Sequence, residues 1–205
     1  MPRTSERGGP QTRSRILEVA NRLFLERGFD TVTVAEVARA AGVSTVTVFN
    51  HFPRKEDLFL DRSVDAYELL RSVVRDRGPA AGHVLSSLLN ATLSLVDARH
   101  PLSGLDHRSI PFFRTVAASP ALVARAREIA ADLQQTLADE LERDSTFEGD
   151  ATLLAAFFIA GYGTVLVETA RHRISGGDDS DVLDSHLARL ERLFDALRSG
   201  FILRP

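Results

Sequence analysis

The sequence has no cysteine in 205 residues, which excludes a disulfide scaffold, a thiolate metal site and a thiol nucleophile. It has no uninterrupted run of eighteen apolar residues, so no segment reads as a membrane span. The opening MPRTSERGGPQTRSR lacks the apolar stretch of a secretion signal, and the chain is expected in the cytoplasm. Lysine is almost missing, Lys55 standing alone among 25 basic residues. Hydrophobic residues make up 44%, enough at this length to bury a real core.

Catalytic signatures are missing too. There is no G-x-S-x-G, no H-E-x-x-H, no P-loop and no glycine-rich dinucleotide turn, and Gly176-Gly177 reads as a loop. His51, His83, His100, His107, His172 and His186 never fall three or four apart, so no helical metal pair is visible. Asp178, Asp179, Asp181 and Asp184 depart from the calcium-loop spacing and read as loop and helix-start charge. No enzyme, metal or cofactor is expected.

What is present is uneven in charge. Residues 1–55 carry nine basic and five acidic residues, a net +4, which leaves the rest at −7. A basic head on an acidic body suits a protein whose one end meets a polyanion. Residues 1–11 read as a flexible basic arm. From Thr12, the apolar residues Ile16, Leu17, Val19, Ala20, Leu23 and Phe24 recur at helical spacing up to Gly28. Thr33 with Glu36 three residues on fits a capping box, Val32 and Val37 fit the staple around it, and Gly42 fits the stop of a second helix. Ser44 then caps a third helix through Phe52, before Pro53. Two helices joined by a short turn containing Gly have the layout of a helix-turn-helix over residues 12–54.

On that third helix Val48 and Phe52 share one face and should pack inward, leaving Thr45, Val46, Phe49 and Asn50 outward. Short neutral side chains there suit base edges or a thymine methyl, and His51 and Lys55 suit phosphates. Arg3, Arg7, Arg13, Arg15 and Arg54 are further candidate phosphate contacts. Beyond Lys55 the pattern is one of longer helices, about nine in all, and the fold class is all-α. One helix is expected from Leu58 through Val74, ended by Gly78-Pro79, and another over about Ala80 to Ala98. Pro111 is expected to interrupt the next stretch. Ser119-Pro120 should open a helix to about Arg143, Asp150 should cap one to Arg173, and Asp181 to Gly200 should close the chain.

The landmarks Arg15-Ile16-Leu17, Leu23-Phe24, Gly28-Phe29, Thr33-Val34, Val37-Ala38, Ala40-Ala41-Gly42-Val43-Ser44, Val48-Phe49-Asn50-His51-Phe52, Lys55 and Leu58 together resemble the DNA-binding domain of TetR-family transcriptional regulators. The resemblance covers about residues 12–60; the rest resembles the family in length and helical texture only. It implies a homodimeric repressor that binds a palindromic operator and is released by a hydrophobic small molecule bound in a C-terminal effector-binding and dimerisation domain, residues 55–205. It assigns DNA contacts to Thr33, Ser44, Thr45, Val46, Thr47, Phe49, Asn50, His51 and Lys55, with Phe49 where the family usually carries a Tyr.

The same resemblance nominates Leu89, Leu93, Val96, Leu105, His107, Phe112, Phe113, Val116, Leu133, Phe158 and Tyr162 for the effector pocket. Arg108 and Arg114 flank that segment. Leu183, Leu187, Leu190, Phe194, Leu197 and Phe201 step by three and four, either as a core stripe or, following the family, as a dimer seam. Ala155, Ala156, Ala160, Gly161 and Gly163 would permit close approach. Switching is expected to pass along a fourth helix running unbroken from Lys55 into the effector domain. An activator, an effector-free nucleoid-type binder and a pure protein-interaction bundle are the alternatives.

Overall fold

Helical periodicity in the sequence becomes nine α-helices and two 3-10 turns, with no strand among the described residues. The computed structural model describes residues 9–61, 63–77, 83–106 and 109–201. The helices are α1 (Gly9–Arg27), α2 (Val34–Ala40), α3 (Thr45–His51), α4 (Ser63–Arg75), α5 (Val84–Asp97), α6 (Ile110–Ala118), α7 (Pro120–Arg143), α8 (Ala151–Ile174) and α9 (Asp179–Phe201). The 3-10 turns are Glu56–Leu58 and Pro101–Ser103. The chain forms two units, one reaching Asp61 and taking in Arg114–Arg125, the other made of the remaining described residues.

In the first unit the apolar stripe of α1 (Ile16, Val19, Ala20, Phe24) is buried with Val32, Val37, Ala38, Val48, Phe52, Leu58, Phe59 and Leu122. Three rings anchor it: Phe24 lies 4.9 Å from Phe29 and 5.8 Å from Phe59, edge-on. Helix α1 starts at Gly9, inside the stretch read as an arm; Pro10 in its first turn gives up no intrahelical bond. Helix α2 ends on Gly42, whose φ of 65° lets its amide reach Arg39 O and the amide of Val43 reach Ala38 O.

The expected unbroken fourth helix is absent. Lys55 leads into the 3-10 turn Glu56–Leu58, and α4 begins only at Ser63. Leu58, Phe59 and Leu60 are all buried, at 0%, 5% and 9% exposure. Three consecutive residues span about 200° of an α-helix, wider than the single stripe a surface helix buries, and the break before α4 coincides with the burial of all three. Pro111 also differs from expectation: it sits in the first turn of α6 and starts that helix instead of interrupting it. The boundary at Gly78-Pro79 and the start of the next helix at Ala80 lie outside the described residues.

In the second unit one core joins Leu70 and Val74 of α4, Leu88 and Val96 of α5, Leu137 and Leu141 of α7, Leu154 and Phe158 of α8, and Leu190, Phe194 and Leu197 of α9. Asp150 caps α8 by accepting from the amide of Leu153 at 2.9 Å. The turn after α8 is short, and α9 returns along α8. Gly161 supplies the closest approach, since a Cβ there would lie 2.3 Å from Leu193 Cδ1. At the edge, Glu140 takes both Arg75 Nε and a terminal nitrogen at 2.6 Å, which holds its carboxyl below the usual range.

Half of the stripe expected on α9 is taken up inside the chain itself. Leu190, Phe194 and Leu197 are at most 3% exposed and belong to the chain's own core, with Leu183 and Leu187 partly buried against it. The side chain of Phe201 lies outside the described residues. Steps of three and four define a face but not its partner, and for Leu190, Phe194 and Leu197 the partner is intramolecular.

His186 on α9 is fully buried. Its Nδ1 lies 2.8 Å from Thr169 Oγ1, which itself donates to Val165 O at 2.8 Å, so the imidazole donates from Nδ1. Desolvation lowers its pKa from 6.5 to about 4. The folded state resists protonation that the unfolded chain accepts, so the contribution is complete above pH 6.5 and lost as pH falls toward 4, on the order of 3 kcal/mol. We predict that thermal unfolding midpoints of wild type fall across that window more than those of His186→Gln; parallel curves would contradict it.

Candidate functional site

The outward face of α3 is built by what lies beneath it. Val48 and Phe52, at 0% and 2% exposure, pin one side of a seven-residue helix into the first unit's core. One rotation away, Val46 is 66% and Phe49 49% exposed, and Thr45 and Asn50 are exposed beside them. Ser44 holds the helix start: its Oγ accepts from the amide of Thr47 at 3.0 Å. The Thr47 hydroxyl lies 2.9 Å from that same Oγ, so it is engaged in the cap. His51 is half-buried, its ring 6.3 Å from that of Phe52.

Thr33 caps α2 as its spacing foretold. Its hydroxyl accepts from the amide of Glu36 at 3.2 Å, and Glu36 Oε2 accepts from the Thr33 amide at 2.8 Å. Arg27 adds a contact of 2.8 Å to the other carboxylate oxygen. The backbone hydrogen bond first, then Arg27, hold the Glu36 pKa at about 2.

Lys55 is turned back on the fold. Its Nζ donates to Phe29 O at 2.6 Å and sits 4.2 Å from the centroid of the Phe29 ring, and desolvation lowers its pKa. Arg13 is also engaged, paired with Asp61 and stacked 4.8 Å over Phe52, while Arg15 is exposed. Arg3 and Arg7 lie outside the described residues.

The nominated pocket residues scatter. Val96 and Leu105, with Asp97, Arg99 and Leu183, line a cavity of about 210 Å3 in the second unit. Leu89, Leu133, Phe158 and Tyr162 pack in or against the core. Tyr162 is stacked on Phe158 at 6.0 Å and donates its hydroxyl to Leu102 O at 3.0 Å, and burial raises its pKa. Phe112 and Phe113 form an edge-on pair 5.7 Å apart, Phe113 lying against Gly104. Leu93 is half-buried on α5, between the core positions Thr92 and Val96. Val116 is half-buried on α6 and belongs to Arg114–Arg125 in the first unit. His107 and Arg108 lie outside the described residues.

Sequence reading missed two features. One is the exposed side of α8, where Leu153, Phe157 and Val167 are 47%, 55% and 50% exposed. That helix, Ala151–Ile174, is also long and apolar enough to cross a membrane by length and composition alone. Apolarity all round the helix was the available signal: one side faces the core, and the other is exposed. The second is a set of polar contacts from Ser119 and Arg125, which no local motif announces.

Residues 16–61 match the model described as "Bacterial regulatory proteins, tetR family". Over 59 residues, 29% of the chain, the sequence is 41% identical to the HTH-type transcriptional regulator AcrR of Shigella flexneri, covering 27% of that protein. It is 26% identical over 191 residues to the HTH-type transcriptional regulator TcmR of Streptomyces glaucescens, covering 92% of this chain and 83% of that protein. The matches to AcrR and to the repressor KstR2 of Rhodococcus jostii span between about a quarter and a half of those relatives. In fold, the chain is similar to FadR of Thermus thermophilus, a repressor solved with lauroyl-CoA, with a TM-score of 0.55, 23% identity, and 94% and 96% of the two chains covered.

The cap geometry yields a local test. In Thr33→Ala, stability should drop by about 1 kcal/mol, while the Glu36 carboxyl, followed by NMR, should stay well below the usual carboxylate range and rise only slightly, because the amide of residue 33 and Arg27 still hold it. A Glu36 that returns to the ordinary range would show that the hydroxyl holds it instead.

Proposed function

We propose, from the match of residues 16–61 to the tetR-family model, that the chain is a TetR-type regulator: a cytoplasmic, homodimeric repressor that reads a palindromic operator and is released from it by an apolar small molecule. The observation that carries this reading is the exposed face of α3, where Thr45, Val46, Phe49 and Asn50 stand outward over a buried Val48 and Phe52. A valine and a phenylalanine held in water on a capped, seven-residue helix are suited to a groove that presents thymine methyls and base edges. Ser44 and Thr47 serve by holding the start of α3, His51 closes its last turn, Thr33 caps α2, and Lys55 is tied back to the Phe29 carbonyl.

Dimerisation is assigned to the outer side of α8 in place of the α9 stripe. Leu153, Phe157, Thr164 and Val167 step by four, seven and three along one exposed stripe. A second copy covering it would account for a helix apolar on both sides, and would carry two α3 helices to half-sites about 34–36 Å apart. The effector is assigned to the second unit, where the cavity beside Val96 and Leu105 is small and part-apolar. FadR, a similar protein, is a repressor solved with an acyl-CoA. Release requires the ligand to favour the DNA-free state, a coupling of about 1–3 kcal/mol.

Fluorescence anisotropy on duplex DNA from upstream of this gene, with scrambled competitor at fixed salt, tests the reading. Saturable binding that survives competitor is expected, with two chains per duplex. Erasure by scrambled DNA would favour the nucleoid-type binder, and no binding at all would favour a protein-interaction bundle. Val167→Asp should turn a dimer into a monomer in sedimentation velocity; an unchanged dimer would move the interface elsewhere. Phe49→Tyr should tighten binding severalfold by adding a phenolic donor toward a phosphate, and equal affinity would remove Phe49 from the interface.

A further inference from the structure

Two contacts converge on the flanks of the α2–α3 pair. Ser119, the N-cap of α7, is 2% exposed; its Oγ donates to Asp30 Oδ1 at 2.7 Å and accepts from the amide of Leu122 at 3.4 Å. Further along α7, Arg125 Nε donates to Asp57 Oδ1 at 3.0 Å. The other oxygen of Asp57 accepts from the amide of Arg54 at 3.2 Å. Asp30 lies in the turn that leads into α2, and Asp57 lies in the 3-10 turn that follows α3. Leu122, fully buried, anchors the same segment in the first unit's core.

The chain is thus gripped immediately before α2 and immediately after α3, by side chains that lie off the exposed face of α3. Seven-residue helices such as α2 and α3 do not hold their own orientation. Part-buried, charge-assisted hydrogen bonds at both ends supply a constraint that the apolar contacts between them do not. We propose that Ser119 and Arg125 are positioning residues for DNA recognition, setting the orientation of α3 through Asp30 and Asp57. This rests on the reading of α3 as the base-reading helix. Base-edge contacts demand alignment, whereas phosphate attraction tolerates its loss, so the pair governs discrimination more than attraction.

The test compares wild type, Ser119→Ala, Arg125→Gln and the exchange Asp57→Arg with Arg125→Asp, on the upstream duplex and on scrambled DNA. Arg127→Gln removes the same charge from an exposed position of α7 and serves as control. Both single variants should bind the upstream duplex about tenfold more weakly, with scrambled DNA bound as before; the control should lose little, and the exchange should recover most of the loss. Equal losses on both duplexes, a loss matched by Arg127→Gln, or an exchange that recovers nothing would overturn the proposal. So would unfolding of both single variants at the assay temperature, checked by circular dichroism, since the contacts would then serve folding alone. A wild type that fails to discriminate the duplexes overturns the reading of α3 itself and this proposal with it. A discriminating wild type whose variants lose nothing overturns this proposal alone.

Discussion

The burial of Val48 and Phe52 is the constraint on which the rest depends. One in the last turn of a seven-residue helix and the other at its C-cap, they fix how that helix lies on the first unit's core. Once they are inside, Val46 and Phe49 cannot be. Leaving two large apolar side chains in water is unfavourable for the free protein, and that arrangement suits a surface that meets a partner. The caps at Thr33 and Ser44 and the turn at Gly42 serve the same end by fixing where α2 and α3 begin and stop.

Much of this first unit was legible in the sequence because its signals are local. A capping box, a glycine with positive φ and an apolar pair four apart act within a few residues, and each forms where its spacing placed it. Lys55 shows where locality ends. Its position after α3 suggested a phosphate contact, yet the folded chain sends its ammonium to Phe29 O, 26 residues back, and to the rings of Phe29 and Phe24. The break before α4 has the same origin: Leu58-Phe59-Leu60 reads as helix on apolar content, and tertiary burial of all three denies it that geometry.

In the second unit the apolar spacing of α9 identified a packed face but not what packs on it. The core answered with its own α8, approaching at Gly161 against Leu193. The exposed apolar stripe belongs to α8, where apolarity on all sides blurred the pattern. The nominated effector residues met the same difficulty. Phe158 and Tyr162 satisfy one another and the Leu102 carbonyl, as core aromatics do, while Val96 and Leu105 border open volume that no spacing rule would single out. His186, nominated for nothing, is the buried polar group whose protonation the fold resists.

On this reading the exposed face of α3 distinguishes one base pair from another. The most direct measurement is selection of bound sequences from a random duplex pool by wild type and by a Val46→Ala protein. Wild type should select a palindromic motif, and the variant a changed preference confined to one position in each half-site. An unstructured pool, or a motif that Val46→Ala leaves unaltered while affinity persists, would contradict it.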